Sequence, residues 1–132
     1  MTGLALAPYP DLARAILDLL ADLGTTGTET YPDLQQNLPY IRAHRTGGAD
    51  DRITDTADIE ISVFDTDATA ARHLAERIRA RLISGPFAGP AFVTAHGRID
   101  HARTTSGPLM VPATDSDNLR QATASYQVTG RR

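Results

Sequence analysis

The stretch that most restricts what this chain can fold into runs from Asp50 to Pro86. Ala57, Ile59, Ile61 and Val63 alternate with Asp58, Glu60, Ser62 and Phe64. A two-residue period sends one face of a strand into a core and leaves the other, here largely polar, outside. After a short turn, Ala71, Leu74, Ala75, Ile78 and Leu82 recur at helical spacing as one narrow stripe. Asp67 is placed to cap that helix, Asp65 adds charge that suits its N-terminus, and Gly85-Pro86 stops it. Neither element can bury its apolar face alone, so the helix is expected to lie on the sheet that holds the strand.

The rest of the chain supplies partners for this unit. Residues 1–8 read as a loose N-terminal arm. Asp11 to Leu23 reads as a helix entered through Pro10 and stopped by Gly24. Its charged residues Asp11, Arg14, Asp18 and Asp22 share one face, while Leu12, Ala13, Ala15, Ile16, Leu17, Leu19, Leu20 and Leu23 cover most of the remainder. So wide an apolar sector implies that both flanks are buried within the domain or that one flank meets another subunit. A short strand is expected at Thr28–Tyr31. Another is expected at Tyr40–Arg45, with Ile41 and Ala43 inward, joined to the organising strand through a turn at Gly47–Arg52. Phe92 to Thr105 reads as one strand, or two broken near Gly97. Ser106-Gly107-Pro108 reads as a turn, Leu109–Pro112 as a short strand and Asp115–Asn118 as another turn. Leu119 to Thr129 forms the last strand, with Ala122, Ala124, Tyr126 and Val128 on one face. The expectation is a single α+β domain over residues 1–132, with a mixed or antiparallel sheet of about four to five strands and two helices packed on one face.

Composition narrows the chemistry. Hydrophobic residues make up 41% but aromatics only 5%, so the core is built from Ala, Ile, Leu and Val. There is no cysteine, which removes disulfides, thiol catalysis and thiolate metal sites. No apolar run approaches the roughly 18 residues of a membrane span. The N-terminus lacks the basic start and cleavage site of a signal peptide, so a soluble intracellular protein is the expectation. All 13 basic residues are Arg, and the net charge of −3 argues against bulk nucleic-acid binding. That charge is unevenly spread. Residues 1–70 carry 4 Arg against 12 acids, a balance of −8; residues 71–132 carry 9 Arg against 4 acids, a balance of +5. The asymmetry fits either a folded dipole whose halves interleave or complementary patches for head-to-tail assembly.

The segment Gly24–Thr28 lacks the Gly-Lys-Ser/Thr ending of a phosphate loop. The acids at Asp50-Asp51 lack the alternating ligands and distal Glu of a calcium loop. His44, His73, His96 and His101 show no metal-ligand spacing, and Ser106 lacks the Gly-x-Ser-x-Gly elbow. No catalytic, cofactor-binding or metal residue is therefore assigned, and no cofactor is expected. Arg72, Arg77, Arg79 and Arg81 flank the apolar stripe of the second helix, either covering core edges with their stems or free to pair with acids of a neighbour.

The series LPYIRAHRTGG, DDRITDTADIEISVF, AARHLAERIRARLISGP, IDHARTTSGPLMVP and ATASYQVTGRR resembles the tail terminator proteins of long-tailed, siphovirus-type phages. It is most similar to those of phages with actinobacterial hosts. The resemblance runs from about Asp33 to Arg132 and is a pattern across segments, with no catalytic signature. It implies a small α/β protomer that forms a homo-oligomeric ring, usually a hexamer, at the head-proximal end of the virion tail. Such a ring caps the tail tube, stops polymerisation of the tube protein, meets the head–tail connector proteins and lets genomic DNA pass. That role is structural, without turnover and without a membrane. On this reading Asp50, Asp51 and Arg52 form an exposed assembly loop, Arg72, Arg79 and Arg81 its ring-interface partners, and Arg42, Asp58 and Glu60 a lumen or ionic seam. A head–tail connector of the same module is the nearest alternative, and a small monomeric α+β enzyme or ligand-binding domain the alternative from another class.

Overall fold

The structure is a computed structural model that describes residues 9–28, 37–84, 92–111 and 119–131. The expected N-terminal arm, the Gly85-Pro86 stop and the turn at 115–118 lie outside these residues, as does most of the strand expected at 28–31.

Helix α1, Leu12–Leu20, starts where Asp11 accepts a hydrogen bond from the Arg14 backbone N–H at 3.2 Å, the usual N-cap bond. It ends at Leu20, earlier than the Gly24 stop implied. Residues 21–23 form a turn in which the Leu23 N–H bonds the Leu20 carbonyl at 2.9 Å, an i→i+3 closure that satisfies an orphan carbonyl. Leu12, Ala13, Ala15, Ile16, Leu17, Leu19 and Leu20 are all buried in the same core as the sheet and the second helix. The wide apolar sector is thus consumed inside the protomer.

The strands follow as β1 (Thr25–Gly27), β2 (Tyr40–Asp50), β3 (Thr54–Asp65), then helix α2 (Ala68–Ser84), β4 (Phe92–Thr94), β5 (Gly97–Ile99), β6 (His101–Val111) and β7 (Arg120–Arg131). Five strands form one mixed sheet in the order β1-β2-β3-β7-β6, parallel only between β1 and β2; β4 and β5 make a separate small hairpin. Both helices contribute to one core on one sheet face, as the α+β reading required. Ala57, Ile59, Ile61 and Val63 meet Ala71, Leu74, Ala75, Ile78 and Leu82 of α2 there, and Ala122, Ala124, Tyr126 and Val128 of β7 continue the same layer.

Four local readings need correction. The strand expected to stop at Arg45 runs on to Asp50. A bulge between Arg45 and Gly47 absorbs the irregularity, and Gly48 takes φ +127°, where a Cβ would stand 2.1 Å from the Thr56 carbonyl oxygen. The turn shrinks to residues 51–53. Segment 106–108 is not a turn but part of β6, which keeps pairing with β7 through two register shifts. Pro108 is tolerated because β6 is an edge strand. The 92–105 segment divides into β4, β5 and the start of β6. Finally, the far side of the sheet is not purely polar. Tyr40 and Phe64, with ring centroids 6.2 Å apart, are buried there with Leu38 and Leu119 against them. Ser62 is buried beside them and lies within 3.2 Å of the Thr123 hydroxyl.

Candidate functional site

Three surfaces stand out, and each is built by local chemistry. The first is the β2–β3 turn. Asp51 accepts backbone N–H bonds from Ile53 at 3.2 Å and Thr54 at 2.8 Å, and its own N–H bonds the Thr54 carbonyl at 3.0 Å. Those N–H donors hold the Asp51 carboxyl below its ordinary value of 3.8. Arg52 sits at φ +88°, a left-handed position that the turn bonds impose. Ile53 is left 62% exposed beside Asp50, Asp51 and Arg52. Tyr9 donates to the Asp50 carboxylate at 3.3 Å. Behind the turn, Arg45 forks onto Asp55 with contacts of 2.6 and 2.8 Å and adds a bond to the Gly47 carbonyl at 3.0 Å. Asp55 is only 4% exposed, and its hydrogen bonds to the Arg45 guanidinium raise the Arg45 pKa further.

The second surface is the side of α2 that faces β6. Glu76, Arg79, Ile83, His101, Arg103 and Thr104 line a cleft of about 570 Å³ between this helix and the edge strand. Ile83 is 42% exposed in it. Arg79 lies 3.7 Å from Glu76, and Arg103 donates to Gln127 at 3.0 Å. Next to this cleft, the Thr104 hydroxyl and the hydroxyl of its cross-strand neighbour Tyr126 are buried with no hydrogen-bond partner among the described residues. Burial pushes the Tyr126 phenol up to about 12, with smaller opposing effects from nearby Arg79 and Glu76. Arg72 belongs to a second depression along the same helix, of about 470 Å³, with His73, Glu76, Arg77 and Ala80. Arg81 is used differently: it bonds the Leu19 carbonyl at 3.0 Å and pairs with Asp22, tying α2 to the end of α1 and holding the Asp22 carboxyl below its ordinary value.

The third surface is the sheet face away from the helices. Arg42 lies over the Phe64 ring, 5.4 Å from its centroid. Glu60 stands opposite His44 on β2 and Ser125 on β7, and Asp58 opposite Gly47 and Gln127. Arg42, Asp58 and Glu60 therefore share one face.

The structure separates the two groups of residues proposed as an interface. Asp50, Asp51 and Arg52 sit by the β2 side of the sheet, whereas Arg72 and Arg79 ride on the helix that packs against β6, β7 and β3. Within one protomer they do not meet. Sequence reasoning missed the Arg45–Asp55 pair, although Asp55 falls in the buried phase of β3 with Ala57 and Ile59, an acid where the alternation asks for an apolar residue. It also missed the two orphaned hydroxyls, because their isolation depends on which helix lies over β6. Among the described residues there is no grouping of three or more His, Asp or Glu able to hold a metal, and no helix is long and apolar enough to cross a membrane.

The architecture defines a class: a mixed five-stranded sheet with two helices on one face and, on the other, polar side chains around a small apolar cluster. No family model matches the chain, and no curated protein matches it. Among solved structures it is similar to a chain of the "Virion of native gene transfer agent (GTA) particle", at 16% sequence identity and a TM-score of 0.48, over 90% of this chain and 88% of that one.

Proposed function

We propose that this protein is a structural, non-enzymatic component of a phage-type particle and, within it, a tail terminator. Copies assemble into a ring, taken as a hexamer, that caps the tail tube, ends its polymerisation and meets the head–tail connector. The observation that carries the reading is the placement of unlike charge on the two sides of one sheet. Carboxylates Asp50 and Asp51 outnumber Arg52 at the β2–β3 turn, and Arg72, Arg77, Arg79 and Arg103 gather on and beside α2. A head-to-tail ring needs two different, complementary patches on each subunit. The sequence resemblance to tail terminators points the same way. In a phage that lacks this protein, tube protein should grow past its normal length and headed tails should be missing, read by electron microscopy of lysates. Tails of normal length that fail to join heads would instead assign the chain to the connector. A strict 14.2 kDa monomer by light scattering, together with normal phage yield in its absence, would end the reading.

In this ring the helices lie outward and the face bearing Arg42, Asp58 and Glu60 lines the lumen. Carboxylates there repel passing DNA and let it slide. The double substitution Asp58→Lys and Glu60→Lys should lower the yield of infectious particles at least tenfold, by about one decade, while assembled tails stay normal in number. An unchanged titre would remove these residues from the lumen.

A further inference from the structure

We infer that neighbouring protomers join edge to edge, the β2 edge of one copy adding as a strand to the β6 edge of the next, so that the sheets run on around the ring. This rests on the ring reading above and specifies how its subunits bind.

Among the described residues both edges are bare. β1 covers β2 only at Tyr40, Ile41 and Arg42, which leaves residues 43–50 without a strand on that side among the described residues. β6 is the last strand on the other side. Bare edges carry rows of backbone donors and acceptors and are templates for strand addition. On β6, Pro108 and the two register shifts after Thr104 divide the edge into regular stretches at 101–104 and 109–111, of which the first lies across from the uncovered part of β2.

The two bare segments are also level. Register runs straight across four strands from Ala49 through Thr56 and Thr129 to His101. One step along it runs from Gly48 through Ala57 and Val128 to Ala102, and next from Gly47 through Asp58 and Gln127 to Arg103. The open half of β2 and the first regular stretch of β6 thus stand at one height. Each neighbouring pair from β2 to β6 is antiparallel, so β2 and β6 themselves run in opposite directions. Rotating one copy about an axis along the strands brings these edges together antiparallel and without a rise. A heterologous contact that has no rise closes on itself, where one with a rise would build a filament.

Charge selects the unlike edge over a like one. The β2 side presents Asp50 and Asp51 with Arg52; the β6 side presents His101, Arg103 and Arg79. Pairing like edges would set like charges opposite each other, which is destabilising. The half-exposed Ile83 of α2, beside β6, adds apolar surface on this side for a neighbour to cover. The incoming segment offers Gly47, Gly48 and Ala49, whose small side chains allow close approach.

Because the chain has no cysteine, cross-linking is clean. Ala49→Cys combined with His101→Cys, or Gly47→Cys combined with Arg103→Cys one level along on the other face, should give a ladder of disulfide-linked multiples ending at the ring on a non-reducing gel. Disulfides need Cα atoms within about 7 Å, so only a joined sheet brings these positions together. Each single variant should stay unlinked. Rings by light scattering with no ladder from either double variant would overturn the joined sheet and leave the ring standing. Dimers from a single variant would overturn it in favour of like-edge pairing. A protein that is monomeric and unlinked would overturn both.

Discussion

Arg45→Met should lower the unfolding free energy by about 3 kcal/mol, read as a fall in the urea midpoint with an unchanged slope. The Asp55 carboxylate is 4% exposed, and both its oxygens are held by the Arg45 guanidinium at 2.6 and 2.8 Å. Methionine keeps the aliphatic stem and removes the cation. A carboxylate is then left buried with no counter-charge, and that desolvation penalty dominates over the lost attraction. The Arg45 side chain is itself 40% exposed, which places the loss at the lower end of the roughly 3–5 kcal/mol seen when a buried pair is broken. Converting Asp55→Leu in the same chain should restore most of it, because a pair removed together leaves nothing unpaired. A loss under about 1 kcal/mol in the single variant would mean that water reaches Asp55 and the pair is a surface one.

The same pair marks where sequence reading stops. The alternation of β3 is legible because Ala57, Ile59, Ile61 and Val63 are buried in the core with the helices while Thr56, Asp58 and Glu60 on the opposite face are only half-buried. The α2 stripe is legible for the complementary reason. Asp55 lies in phase with those residues and has Asp50 as its register partner; Arg45, registered with Ile59, reaches it along the strands, past a bulge beside two consecutive glycines. Gly47 and Gly48 look like a turn in one dimension; in three, they let β2 bend and continue. β1 has the opposite problem. Thr25, Thr26 and Gly27 carry no hydrophobic pattern, and they form a strand because Tyr40, Ile41 and Arg42 offer a parallel edge. Pro108 reads as a breaker until β6 is known to be the outermost strand.

The surfaces are less legible than the fold. A charge balance of −8 against +5 is visible along the chain, but part of it closes internally. Arg81 reaches Asp22 across the two halves, and β7 of the basic half lies between β3 and β6. The excess on each side, acids by the β2–β3 turn and arginines along α2, emerges only when the strand order is known. The level arrangement of the two bare edges depends on three successive registers and has no trace in any single segment.

Ile59→Ala should cost about 4 kcal/mol, the largest effect of any single truncation expected here. Ile59 is 1% exposed at the middle of the central strand, opposite Arg45 on one side and Tyr126 on the other. Losing three carbons forfeits roughly 2.4 kcal/mol of transfer free energy, at about 0.8 per methylene. The remainder is the cavity, which cannot collapse because β3 is hydrogen-bonded on both sides and the helices pack across it. Ile53→Ala, the same chemical change at a 62% exposed turn position, should stay within about 0.5 kcal/mol of the parent protomer. The contrast isolates burial from residue type. Were the two losses equal, the helix-bearing face of β3 would not be the core. With them unequal, Ile53 is free of any folding duty.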